Sequence, residues 1–192
     1  MKTGKAILMG AAMLFTTAAV NAQSMKNMIK IGVLAGPSVP SNNAAAAAGV
    51  DLAYQNLVTP HFGLGLATGY QHHFGKENDV NGTTLDNNNF GVVPVAALVR
   101  YYPKAEGIYI GTDLGYGVIT GDKDVAANSS VDRPGGGFYL KPEVGYHNRN
   151  WNIFAHYSKV FTGDEGTIGS QKYNTGIIGV GLAYNIGLGA GR

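Results

Sequence analysis

Large apolar side chains occupy every second position in segment after segment of this chain. Phe62, Leu64, Leu66 and Tyr70 interleave with Gly63, Gly65, Ala67 and Gln71. Ile108, Ile110, Leu114, Tyr116 and Val118 interleave with Gly111, Asp113, Gly115 and Gly117. Ile178, Val180, Leu182 and Tyr184 interleave with Gly179, Gly181, Ala183 and Asn185. A period of two belongs to β-strands, whose successive side chains point to opposite faces. One face is bulky and apolar, the other small or polar. A soluble barrel turns its bulky face inward. The reverse arrangement suits strands whose outer face meets lipid.

The first 22 residues read as a signal peptide. Lys2 and Lys5 precede the apolar stretch from Ile7 to Val20, and Val20-Asn21-Ala22 offers a small-residue cleavage site before Gln23. The apolar run is shorter than the ~20 residues of a spanning helix. The mature domain then covers 23–192, one domain's length. Without Lys2 and Lys5 it carries 12 basic and 12 acidic residues. No basic patch points to nucleic acid. Cysteine is absent, which excludes disulfides, thiolate nucleophiles and iron–sulfur ligation. No later segment is apolar enough for a helical span, so membrane insertion requires a closed barrel that satisfies its own backbone.

The pattern predicts eight strands, near 28–39, 48–56, 61–72, 89–102, 107–120, 137–147, 150–162 and 174–186. Long connections (40–47, 73–88, 121–136, 163–173) alternate with short ones (57–60, 103–106, 148–149). In an outer-membrane barrel, long loops face outside and short turns face the periplasm. An even strand count then leaves both termini periplasmic. The fold class expected is all-β, an eight-stranded antiparallel up-and-down transmembrane barrel.

Aromatic residues repeat the same division. Tyr54, Phe62, Tyr101, Tyr146, Trp151 and Tyr184 fall at strand ends beside short turns, and Tyr70, Tyr116, Phe138 and Tyr157 toward the long loops. Two membrane-interface girdles are expected. Pro94 cannot donate a ladder hydrogen bond and is expected to face inward, at a bulge. Phe90 has the wrong parity for the lipid face, which implies a bulge or a later strand start.

Read inward, the strands supply Lys30, Asp51, Arg100, Asp113, Lys141 and Glu143, three cations against three anions, with Gln71, His156 and Asn185. Eight strands enclose a space that side chains fill. Buried charges there must pair. A salt-bridged plug is expected, with a narrow pore as the alternative. Acid–base work by Asp113 and Glu143 on neighbouring strands lacks a substrate route. His72 and His73 point to opposite faces, so no metal site is expected, and no cofactor.

His156-Tyr157-Ser158 places a base and a hydroxyl on one strand face. It resembles the His-x-Ser of outer-membrane lipid A 3-O-deacylases, eight-stranded barrels with a Ser–His–Glu triad. That resemblance implies a hydrolase using His156 and Ser158. In the deacylases the reactive face looks toward lipid, whereas parity here turns both residues inward. Lys159 stands where those enzymes have Asn, and the acidic candidates Asp164 and Glu165 lie in the following loop.

Across the mature domain, the segments Val93–Tyr102, Tyr109–Gly117, Phe138–Tyr146 and Gly179–Ile186, with the Val-Asn-Ala-Gln signal end, resemble the outer-membrane β-barrel family. The likeness is to its eight-stranded members of the OmpA transmembrane-domain and OmpX class, and to Bacteroidota variants. It implies a porin-type architecture, handling by the barrel assembly machinery and an outer-membrane lipid environment for a monomer. It also implies a structural or surface-interaction role, with loops 73–88 and 121–136 available to an extracellular ligand or host surface. The chain departs from the family by adding Gly187–Arg192 where many members end on an aromatic residue. The expected protein is not an enzyme.

Overall fold

A computed structural model describes residues 26–80 and 82–189. The signal peptide and its cleavage site lie outside the described residues, as do Asn81 and 190–192. Among the described residues ten strands form: β1 (Asn27–Pro37), β2 (Ala44–Leu57), β3 (Phe62–Gly75), β4 (Glu77–Val80), β5 (Thr83–Asp86), β6 (Phe90–Tyr101), β7 (Gly107–Gly121), β8 (Gly136–His147), β9 (Trp151–Phe161) and β10 (Ile177–Gly187). Eight of them close into an antiparallel up-and-down barrel, β1-β2-β3-β6-β7-β8-β9-β10, with β10 pairing back onto β1. Closure leaves no sheet edge, so the ladder satisfies the backbone without help from solvent.

The parity of the sequence is the parity of the wall. Along β9, Trp151, Ile153 and Ala155 face out while Asn152, Phe154 and His156 face in. Leu66, Val95, Ile108 and Val180 are each more than 60% exposed, within a belt that runs around the barrel. A contiguous apolar surface of this extent is not one that water covers in a monomeric soluble protein. Exposed rings crowd the short-turn rim, where Phe62 meets Tyr101 at 5.0 Å and Trp151 meets Tyr184 at 4.8 Å between centroids. Tyr54 and Tyr146 are exposed at the same end. Phe138 and Phe161 pair at 5.9 Å toward the opposite rim.

Several local expectations change. The strand predicted at 48–56 begins four residues earlier, at Ala44, because the alanine run pairs with the end of β3. The segment 73–88 is not a plain loop: β4 and β5 form a separate two-stranded hairpin. Phe90 needs no bulge and no later start. It opens β6 and points inward, stacked on His73 at 4.3 Å. Pro94 also faces inward, but without a bulge. Its pairing with Gly117 on β7 keeps register, and toward β3 the ladder lapses between Val95 and Val92 and resumes unshifted. A missing N–H interrupts the bonding without adding a residue. Finally, the outer wall carries one long cation absent from the expected lipid face. Lys159 follows inward-facing Ser158 and lays its ammonium 5.4 Å from the Phe161 ring centre. Such a chain reaches along apolar surface to a polar boundary.

The belt makes a depth-dependent prediction. Leu114→Arg, in the middle of β7, should cost about 2–4 kcal/mol in lipid-dependent refolding, and Ile108→Arg, at the short-turn end, about 0–1 kcal/mol. Equal tolerance of both in urea titrations would contradict a bilayer around this wall.

Candidate functional site

All six interior charges nominated from the sequence line one central space of about 40 Å³. A water needs ~10–15 Å³ of such space, so only a few would fit. The register explains how the charges meet. Gly111 on β7 pairs with Arg100 of β6 on one side and with Glu143 of β8 on the other. A Cβ on Gly111 would lie 2.1 Å from Arg100 Cδ. Because glycine leaves that lane empty, the guanidinium crosses β7. Its Nε comes within 2.7 Å of Glu143 and its Nη1 within 2.8 Å of Asp113. The hydrogen bonds of Nη1 go to the carbonyls of Val99 and Thr112, at 3.0 and 2.9 Å. The two carboxylate contacts are close charge pairs rather than aligned hydrogen bonds.

Lys141 pairs beside Asp113 in the β7–β8 ladder. It forms an ion pair with Asp51, which stands on β2, four strands away and so on the opposite wall. Asp113 and Glu143 lie 3.8 and 4.0 Å from the same ammonium. Tyr109 donates to Glu143 at 2.9 Å. Two cations thus hold three carboxylates. Asp113 and Glu143 meet through those cations. Lys30 stands apart from the five: its ammonium donates to the Tyr102 hydroxyl at 2.8 Å, and Tyr102 donates to Gln55 at 2.9 Å.

His156 and Ser158 are buried inside the barrel. Two residues along a strand separate them by ~6.6 Å of rise. Ser158 donates across the lumen to Gln71 at 3.4 Å, and Gln71 donates to Tyr139 at 3.1 Å. Among the described residues, neither ring nitrogen of His156 has a hydrogen-bond partner. Glu143 is its ladder partner on β8, already committed to Arg100 and Tyr109. A serine, a histidine and an acid therefore share this interior without forming a connected relay.

Sequence reasoning missed the long-connection mouth. There the interior turns apolar: Phe90, Val92, Ile119 and Val160 pack with Val125 and Tyr173, which come from the connections 122–135 and 162–176. The connections are stitched over this plug. The connection 76–89, which carries β4 and β5, binds 122–135 through Asn88 N–H to the Val125 carbonyl at 3.0 Å and Ala127 N–H to the Asp86 carbonyl at 2.8 Å. It binds 162–176 through Asn78 to Gln171 at 2.5 Å and Gln171 to Asn87 at 3.1 Å. The connection 38–43 joins through Asn174 N–H to Asn43 at 3.0 Å. Burial raises the Tyr173 phenol well above its usual range. On the exposed side, the hydrogen bond and charge of Lys172 hold Asp164 below the usual carboxylate range. The asparagine-rich composition of these segments was the available signal, since Asn can satisfy backbone groups where regular pairing stops.

The fold is of one class, the closed eight-stranded antiparallel up-and-down barrel, here with a charge-filled interior. The structure is similar to the crystal structure of Ail, the attachment invasion locus protein of Yersinia pestis. The TM-score is 0.50 at 14% identity, over 83% of this chain and 97% of that one. Neisserial surface protein A (NspA) aligns over 85% of this chain and 99% of its own, at 16% identity and a TM-score of 0.44. No family model and no curated protein sequence matches the chain. At these identities the likeness is one of fold.

Breaking the charge cluster should be costly. Arg100→Met removes the cation between two buried carboxylates and should destabilise the folded barrel by about 3–5 kcal/mol. Asp51→Asn, at the cluster's more exposed edge, should cost less. Urea-unfolding midpoints in detergent order the two variants, and an equal or reversed order would contradict this geometry.

Proposed function

We propose that this protein is an integral outer-membrane barrel whose long-connection end is an ordered surface platform for attachment or binding, and that it is not an enzyme. The observation that carries this reading is the stitched cap. Four connections that would otherwise pay a large conformational entropy cost are held in one arrangement. They are joined by Asn78, Asn87, Gln171 and Asn43 and sit over an apolar plug. A preorganised surface loses less freedom on binding than a loose one. Its outer side carries charges of both signs, including the exposed pairs Lys123–Asp132 and Lys172–Asp164. The alternation of long and short connections favours an orientation with this cap outside and both termini in the periplasm.

Further support comes from what the interior is used for. His156 and Ser158 lie beneath the plug, with Ser158 committed to Gln71, which argues against a deacylase using them. Ail, a fold neighbour, is described as an attachment protein. That description agrees with the reading without carrying it.

The test is gain of attachment in a non-adherent outer-membrane host. Cells displaying the wild-type chain should bind at least one surface among matrix proteins, epithelial cells and other bacteria. Replacing 122–135 by a flexible Gly/Ser linker should abolish binding while the barrel still folds. Attachment that survives this replacement and a matching one of 76–89, or wild-type cells that bind nothing, would contradict the proposal. A second expectation concerns order in the cap. Asn87→Ala with Gln171→Ala should speed protease nicking within 76–89 severalfold, leaving barrel unfolding unchanged.

A further inference from the structure

The opposite mouth has a different chemistry. A cavity of about 310 Å³ opens among the short turns. That is the lower end of the range for small-molecule pockets, ~300–1,000 Å³. Its lining includes buried Lys30, exposed Lys104 and Arg149, and His147, with Glu106 as the one carboxylate among the described residues. Met28, Leu57, Pro60 and Ala105 add apolar surface to the lining.

Lys30 is the informative residue. It is nine-tenths buried and lines both this cavity and the central space. Among the described residues it is the only buried cation with no carboxylate within 4 Å, since Arg100 and Lys141 share all three interior anions. Its one hydrogen bond goes to the neutral Tyr102 hydroxyl, which leaves two ammonium donors. Tyr102 is itself held against His147 and Tyr109, at 4.5 and 5.5 Å between ring centres, so the ammonium is fixed in place. Neither Lys104 nor Arg149 makes an ion pair among the described residues. A buried ammonium lining a donor-rich cavity favours an anion, because desolvated charge is costly unless paired.

We infer that the short-turn mouth is a binding site for a small organic anion, with its charged head on Lys30, Lys104 and Arg149 and a short apolar body against Met28 and Leu57. This inference is independent of the cap. It concerns the other end of the barrel, and neither test bears on the other.

The experiment is calorimetric titration of the folded mature chain in zwitterionic detergent with butyrate, acetate and inorganic phosphate, at constant ionic strength. Butyrate should bind saturably and severalfold more tightly than acetate, because two additional methylenes leave water. Lys30→Met should abolish binding. Lys104→Gln and Arg149→Gln, both at exposed positions, should each weaken it roughly tenfold. Lys123→Gln, at the opposite mouth, should leave it unchanged. If Lys30→Met fails to fold, the Lys104 and Arg149 variants decide the matter. Absence of saturable butyrate binding, binding that those two variants leave unaltered, or phosphate binding more tightly than butyrate would each overturn the inference.

Discussion

Eight strands close around a lumen about as wide as two facing side chains, and the structure follows from that narrowness. Every inward charge must find its partner within reach, inside the wall. Arg100 can do so because Gly111 leaves a lane across β7. Lys141 does so by spanning the lumen to Asp51 on β2. Ser158 and Gln71 make a second span from β9 to β3. These bonds tie opposite walls together below the apolar plug. Outside the plug and the charge cluster, an apolar belt that includes Leu66, Val95, Ile108 and Val180 faces outward.

The interior is layered along its axis. The cation-lined vestibule lies at the short turns, the ion cluster at mid-height and the apolar plug under the cap. Each layer suits its neighbourhood. Charges are satisfied by one another at the centre, while the plug excludes water beneath connections whose own backbone is bonded by asparagine side chains. This arrangement leaves the two ends free for different tasks: an ordered surface at one and an open cavity at the other.

The wall was legible from the chain alone because strand parity is local. Knowing which residue is apolar at every second position fixes inside and outside without knowing which strands pair. The six central charges followed from the same parity. What depends on distant partners did not. Phe90 looked misplaced because its destination, a stack on His73 and a contact with Tyr173, lies across a 14-residue excursion and a different loop. The β4–β5 hairpin was hidden by the sequence Glu77–Asp86, which reads as a polar loop and lacks alternating apolar positions. Lys30 was grouped with the ion pairs by charge count. Its actual partner, Tyr102, follows β6, and strand parity says which face a residue takes but not which group on another strand it will meet.

A barrel sealed by its own side chains should not conduct ions, and electrical conductance measures this. Purified chain reconstituted in planar bilayers should leave the membrane silent across the physiological voltage range, with incorporation verified by heat-modifiable migration of the same sample. Discrete, reproducible channel openings from that folded protein would contradict the sealed interior.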